Sequence, residues 1–300
     1  MFSLSTSWNS FRHTGGIELV EEIRAIGFDT IELNFALTES VAKDILGLSQ
    51  RSGIKVSSLH NICPLPPEIA QDEASPDFYS LASPDEEERK LAVDAARNTI
   101  RYARMFGAKA VVLHAGRIQI KDRTRELAAL IGKPEEFSKL KAEMIRERGE
   151  KRDGYLDNVI KSLARIVPYA KEMNVLLGIE NRYYYREIPL IDELEVIFDN
   201  FKVGEVSYWH DAGHAEVFDR LGITRHRDLL EKFSSRLIGV HLHDIIGAID
   251  DHKPPGEGTF DFRILKPYLK KDTIKVIETH HPATANQIHN GAEYLKKILG

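Results

Sequence analysis

The segment SYWHDAGHAEVFD at 207–219 sets two histidines around an aspartate. His210 and His214 imitate the H-E-x-x-H helix, on which two imidazoles share one zinc ion. A second register is more economical. In it a strand ends at Asp211, Gly213 sits in the turn, and His214 folds back over the strand end. Ser207, Trp209 and Asp211 then share one face, and His210 points the other way, toward a helix layer. The useful pair becomes Asp211 and His214, and His210 binds no metal.

The same ending recurs along the chain. Apolar runs stop at His60, His114, Glu180, Asp211, His241 through Asp244, and Glu278. Neutral imidazole and carboxylate are ligands for zinc, manganese, iron or cobalt. On the run ending near 244, His241 and His243 share a face. Asp250 and His252, two apart in a loop stiffened by Pro254, Pro255, Gly256 and Gly258, suit a ligand pair. His280 and His281 follow Glu278 and are expected to bracket the site without binding metal.

These residues need a scaffold that gathers strand ends. Eight short β-like runs are present, at 1–7, 28–34, 54–60, 108–114, 174–180, 205–211, 237–244 and 273–279. They are rich in Val, Ile, Leu and Thr, as buried parallel strands are. Helical patterns separate them. Ile17, Val20, Ile23 and Ile26 form one predicted face, and a helix is expected to start near Ser83–Glu86 and stop at Gly107. Strand–helix alternation of this kind predicts an α/β fold, a single (β/α)8 barrel domain over 1–300. In that fold the C-terminal strand ends converge on one basin. An open doubly wound sheet is the alternative, but SWNSFRHTGG lacks a G-x-G-x-x-G turn. Residues 61–83 hold four prolines, and residues 115–153 form a charged helical insertion assigned to the C-terminal face. The insertion reads either as a solvated helical hairpin or as a lid using Arg117, Lys121, Arg123 or Arg125 on a phosphate.

Composition narrows the function classes. Hydrophobic residues are 42%, charged residues 29%, and the net charge is −5. A large core can form, and nothing draws the chain generally to nucleic acid or anionic membrane. The one cysteine, Cys63, excludes an internal disulfide and thiolate zinc sites, and fits a reducing cytoplasm. No apolar run is long enough to span a membrane.

The fragments GIEN, DAGH, HLHD, DDHKPPGEGTFDF and VIET, in this order, resemble the xylose-isomerase-like TIM-barrel superfamily over nearly the whole chain. That group includes sugar and sugar-phosphate isomerases and epimerases, and type IV apurinic endonucleases. The resemblance to its single-metal epimerases implies one divalent ion, such as Zn, Mn, Co or Mg, on Glu180, Asp211, His241 and Glu278. It also implies that Glu180 and Glu278 exchange protons with substrate. The resemblance to the endonucleases implies up to three ions, with His60, His114, His214, Asp250 and His252 as further ligands. HNICPLPPE, ENRYYYREIP and HDII depart from the endonuclease pattern and argue against DNA-insertion loops.

The leading expectation is therefore a metal-dependent isomerase or epimerase of a sugar, sugar phosphate or related polyol. The ion would stabilise an enediolate, with glutamate acid–base catalysis. His214, His243, His114, Lys253 and Arg182 are candidates to hold the substrate. The alternative is a di- or trinuclear phosphoester hydrolase. A small carbohydrate is the expected partner, with self-association into a homo-oligomer also open. Nucleic acid is disfavoured and a membrane is not expected.

Overall fold

The computed structural model describes residues 2–300. Eight strands close into a parallel barrel in chain order: β1 (Ser3–Ser5), β2 (Thr30–Leu33), β3 (Lys55–His60), β4 (Ala110–Leu113), β5 (Leu176–Glu180), β6 (Ser207–Asp211), β7 (Leu237–Leu242) and β8 (Ile274–Ile277). The helices are α1 (Gly16–Ala25), α2 (Glu39–Ser52), α3 (Glu86–Phe106), α4 (Thr124–Ala129), α5 (Pro134–Met173), α6 (Ile191–Asn200), α7 (Ala212–Arg220), α8 (His226–Phe233) and α9 (Ala285–Leu299). The expected α/β barrel is thus present. None of these helices is long and apolar enough to cross a membrane.

Local chemistry sets the helix ends. The Asp85 carboxylate accepts from Glu87 N at the start of α3, and Gly107 closes that helix with φ +67°. The predicted face of α1 is corrected in part. Leu19, Val20 and Ile23 are buried, whereas Ile17 is exposed. The buried set follows the 3.6-residue period, while an unbroken spacing of three drifts off the helix face.

Inside the barrel, Ala110, Val112, Trp209, Ile274 and Val276 form a small apolar plug. The Trp209 indole fits because β5 and β7 carry glycines beside it. A Cβ on Gly239 would stand 2.2 Å from its ring, and one on Gly178 would stand 3.1 Å away. Asp211 lies two residues beyond Trp209 on the same strand face, so the plug forms the floor beneath the ionisable layer. Strand register pairs Asp211 with His241. A much larger core packs the outer faces of the strands against the helices.

The boundary drawn at residue 153 falls inside α5, which runs unbroken for 40 residues. Buried Leu140, Met144 and Arg148 continue into buried Leu156, Val159 and Leu163, so one packed stripe carries the helix past Gly149 and Gly154. Arg148 anchors the early part of α5. Its Nη2 donates to both Glu193 oxygens at 2.7 and 2.6 Å and to Glu187 O at 2.9 Å, and its Nη1 reaches Tyr185 O. The chain after β5 is therefore held against α5. Thr124 at the start of α4 adds a contact, accepting from Tyr185 N at 2.8 Å.

Candidate functional site

The residues at the C-terminal strand ends meet in one buried layer. Glu180 lies at its centre. Its Oε2 is 2.7 Å from His114 Nε2 and 3.4 Å from His60 Nε2, and its Oε1 is 2.8 Å from His241 Nδ1. His241 Nδ1 is also 3.1 Å from Glu278 Oε2 and 3.7 Å from Asp211 Oδ2. Three sets of side chains converge to within metal-ligating reach. They are His60, His114 and Glu180; Glu180, Asp211, His241 and Glu278; and His214, His243, Asp250 and His252. The first two share Glu180.

The chemistry of the donors fits divalent cations. Each histidine of the first two sets turns one nitrogen into its set and ties the other to a fixed oxygen. His60 Nδ1 meets Asn61 O at 2.9 Å, His114 Nδ1 meets Asp77 Oδ1 at 3.2 Å, and His241 Nε2 meets Glu32 Oε1 at 2.9 Å. In the third set, His214 Nδ1 meets Asn181 O at 3.0 Å, and His252 Nδ1 meets Glu278 O at 3.0 Å. This outer contact fixes the tautomer and orients the ring, as in established metal-binding histidines. Glu32, Asp77, Glu180, Asp211, Asp250 and Glu278 are all buried here. So many carboxylates out of water require positive charge nearby.

Protonation follows the same logic. Burial pushes the Glu180 carboxyl up, but His241, His114 and His60 outweigh it and hold Glu180 well below its usual range. Burial lifts Glu278 to about 8 against the lowering effect of His241 and His252. Burial and Arg182 lower His114, yet Asp77 and Glu180 raise it to about 9. The carboxylates thus gather protons onto neighbouring groups, and divalent cations would displace those protons on binding.

One buried guanidinium already stands in the layer. Arg182 Nη1 is 2.6 Å from His114 Nε2 and 3.4 Å from Glu180 Oε2, and its Nη2 is 3.3 Å from Glu187 Oε1. It covers the nitrogen that His114 would offer to an ion in the first set. Arg182 also lines the cleft above the layer.

The cleft above the layer is about 180 Å³ and is lined by Phe35, Pro76, Tyr183, His280 and the site residues. That is smaller than the ~300–1,000 Å³ pockets of drug-sized ligands and suits a small molecule. A cavity of about 650 Å³ at the opposite end of the barrel is lined by Thr30, Lys55, Lys109 and Thr273, with no histidine.

The opening segment takes the second register. Asp211 ends β6, its carboxylate caps α7 by accepting from His214 N at 2.7 Å, and His214 faces the layer. His210 lies behind the sheet, 2.7 Å from Tyr208 Oη and 2.8 Å from His226 Nε2. Gly213 corrects the expectation of a turn, because it lies in the first turn of α7. Its lack of a side chain has a different cause. A Cβ there would stand 2.0 Å from His243 Cε1.

His280 stacks on His252 with centroids 3.7 Å apart and joins none of the three sets, and His281 packs on Phe11. Lys253 does not enter the layer, its amine lying 4.0 Å from Asp251. Among the insertion cations, Arg123 is paired with Glu126 and Glu143, and Arg125 reaches the Tyr184 hydroxyl at 3.3 Å. Lys121 is exposed, and the backbone of Arg117 bridges to Glu187. Sequence reasoning missed Glu32 and Asp77. A glutamate inside the apolar run TIEL was the available signal for Glu32, since an unpaired buried carboxylate is costly. Asp77 sits in a proline-rich loop and had no comparable signal.

Comparison with known proteins agrees with this architecture. An uncharacterized protein of Methanocaldococcus jannaschii, MJ1614, is 27% identical over 221 residues, covering 73% of each chain. A solved structure of a D-tagatose 3-epimerase-like protein is 23% identical, covers 99% of this chain and 96% of its own, and superposes with a TM-score of 0.72. The TTHB071 protein from Thermus thermophilus, soaked with ZnCl2, is 20% identical, with coverage of 99% and 97% and a TM-score of 0.60. At these identities the two solved structures speak for the fold alone. The family model described as xylose isomerase-like TIM barrel matches residues 20–298. With a closed eight-stranded barrel and a match over nearly its whole length, the chain belongs to the xylose isomerase-like TIM barrel family.

Proposed function

We propose that the chain is a divalent-metal-dependent isomerase or epimerase of a small sugar, sugar phosphate or related polyol. One observation carries this reading. Glu180, Asp211, His241 and Glu278 form a buried four-residue set beneath a small cleft, and both glutamates adjoin His241 Nδ1, at 2.8 and 3.1 Å. A divalent cation there, of the Zn, Mn, Co or Mg class, would polarise a substrate carbonyl and its neighbouring hydroxyl, an effect worth several kcal/mol.

The residues of the chain do the rest. Glu180 comes from the end of β5 and Glu278 follows β8, so their carboxyl groups reach the cleft from different strands. One removes a proton from carbon and the other returns one, each using an oxygen not engaged with the cation. Asp211 and His241 stay anchored by His214 N and Glu32 and position the set. Tyr183 and Phe35 line the cleft and offer apolar surface to a sugar face. His114 and His214 line the same cleft, each with its Nδ1 already engaged, by Asp77 and by Asn181 O.

The MJ1614 relative carries no activity in its name, whereas the solved neighbours include D-tagatose 3-epimerase-like and L-ribulose 3-epimerase proteins. The test is proton exchange. Metal-loaded protein incubated in D2O with a panel of ketoses and ketose phosphates should place deuterium on carbon, and Glu180→Gln and Glu278→Gln should each abolish it. Absence of exchange across the panel, or normal exchange in both variants, refutes the reading.

The two further ligand sets favour a second reading, a multinuclear phosphoester hydrolase. Arg182 weighs against it by covering His114 in the first set. Incision of a duplex containing an abasic site by the metal-loaded protein would reverse that ranking.

A further inference from the structure

The hollow of about 650 Å³ at the other end of the barrel has no part in the proposed reaction. It opens at the strand starts. Lys55 begins β3, Lys109 immediately precedes β4, and Lys271 and Lys275 flank the start of β8, and all four line it. Strands β1 and β2 lie between β8 and β3 and add Ser3 and Thr30 to the wall. The lysines therefore reach the hollow from both sides.

Its charge is out of step with the rest of the chain. The sequence carries 41 Lys and Arg against 46 Asp and Glu. The hollow, counting Arg104, has five cations and a single carboxylate, Asp272. Arg104 sits in the last turn of α3, where the carbonyl end of the helix accounts for it. The four lysines are not placed on a helix end, and among the described residues none of them forms an ion pair. Lys275 is half-buried, and its Nζ donates to Thr273 O at 3.3 Å. Burial holds its amine below the usual lysine range, against the opposing pull of Asp272. An ammonium carries three donors, so this one is under-used where water is already partly excluded.

A cleft lined by one sign of charge concentrates counter-ions, and lysine binds phosphate as a point charge. The wall is also partly apolar, with Ile54 and Val56 buried in it and Phe106 half-buried. Solvated lysines alone would need neither the volume nor that wall. The volume lies within the ~300–1,000 Å³ of small-molecule sites.

We propose that this hollow is a second ligand site, for a small organic molecule carrying two or more phosphate groups. The phosphates lie among the lysines, and the carbon skeleton lies on Ile54, Val56 and Phe106. The apolar plug that includes Trp209 and Val112 closes the barrel between this site and the rim cleft.

ADP is the probe, titrated by calorimetry into full-length protein in physiological salt, with adenosine as the uncharged control. ADP should bind one equivalent, and adenosine should not bind. Hydrogen exchange should slow across 54–57 and 271–275 when ADP is added. Lys109 and Lys271 are both exposed and approach from opposite sides. The Lys109→Gln, Lys271→Gln double variant should weaken ADP binding ~10-fold or more. Its melting temperature without ADP should match wild type, which separates lost binding from lost fold. No ADP binding by wild type, equal binding of adenosine, or wild-type affinity in the double variant overturns the proposal. The last result would place ADP on the rim instead. None of these outcomes bears on the metal-dependent reading.

Discussion

Glu32 offers a direct test of how the proposed ligand set is held. Its Oε1 lies 2.9 Å from His241 Nε2, and its Oε2 accepts from Ser58 Oγ at 2.7 Å. It is fully buried on β2 and lies too far round to be a ligand with Glu180 and Glu278. In the proposed reading it holds the His241 proton on Nε2, so that Nδ1 is left to face a cation. Losing such an outer carboxylate costs ~10–100-fold in metal affinity, or about 1.4–2.7 kcal/mol. Glu32→Gln keeps the shape and should show that loss with little change in the stability of the metal-free protein. Glu32→Ala should show the same affinity loss and also strip Ser58 of its acceptor, costing a further ~1–3 kcal/mol of folding stability. Chelator competition measures the first quantity, and urea unfolding of metal-free protein the second. Affinity within twofold of wild type in Glu32→Gln would refute the claim that His241 presents Nδ1 to a cation.

Three further outcomes are expected. His210→Gln should leave the metal content unchanged on elemental analysis, because His210 lies behind β6 against Tyr208 and His226; loss of metal would restore the two-histidine helix reading. Arg148→Met leaves Glu193 buried without its partner and should destabilise the fold by ~3–5 kcal/mol in chemical denaturation; adding Glu193→Leu should recover part of that loss. Cys63 is buried, and burial with the nearby Glu32 charge pushes its thiol far up, so a thiolate-selective reagent at pH 8 should label unfolded but not native protein.

Much of the site was legible in the residue order because a parallel barrel turns sequence into position. Any residue that ends a strand reaches the same rim, so His60, Glu180 and Asp211 announced themselves as ends of apolar runs. His114, His243 and Glu278 lie just past their strands and reach the same layer. Alternation along β6 separated Asp211 from His210 without any coordinates. Helix capping at Asp85 and Gly107 was equally local.

Other features depend on which side chains meet across the barrel. Glu32 reaches His241 over a separation of 209 residues, a pairing that no local pattern records. Arg182 read as a substrate contact; the folded chain keeps it on the cleft wall and also ties it to His114, Glu180 and Glu187. The continuity of α5 past Gly149 and Gly154 came from long-range packing and the Arg148–Glu193 pair, which outweigh local propensity. Gly213 invited a turn and is required instead by the ring of His243. Residue order alone implied the barrel, the rim and the kinds of donor gathered there, because strand alternation and strand ends are local properties. Which nitrogen of each histidine turns into the layer emerges in the folded chain alone, because it depends on the oxygen packed behind the ring.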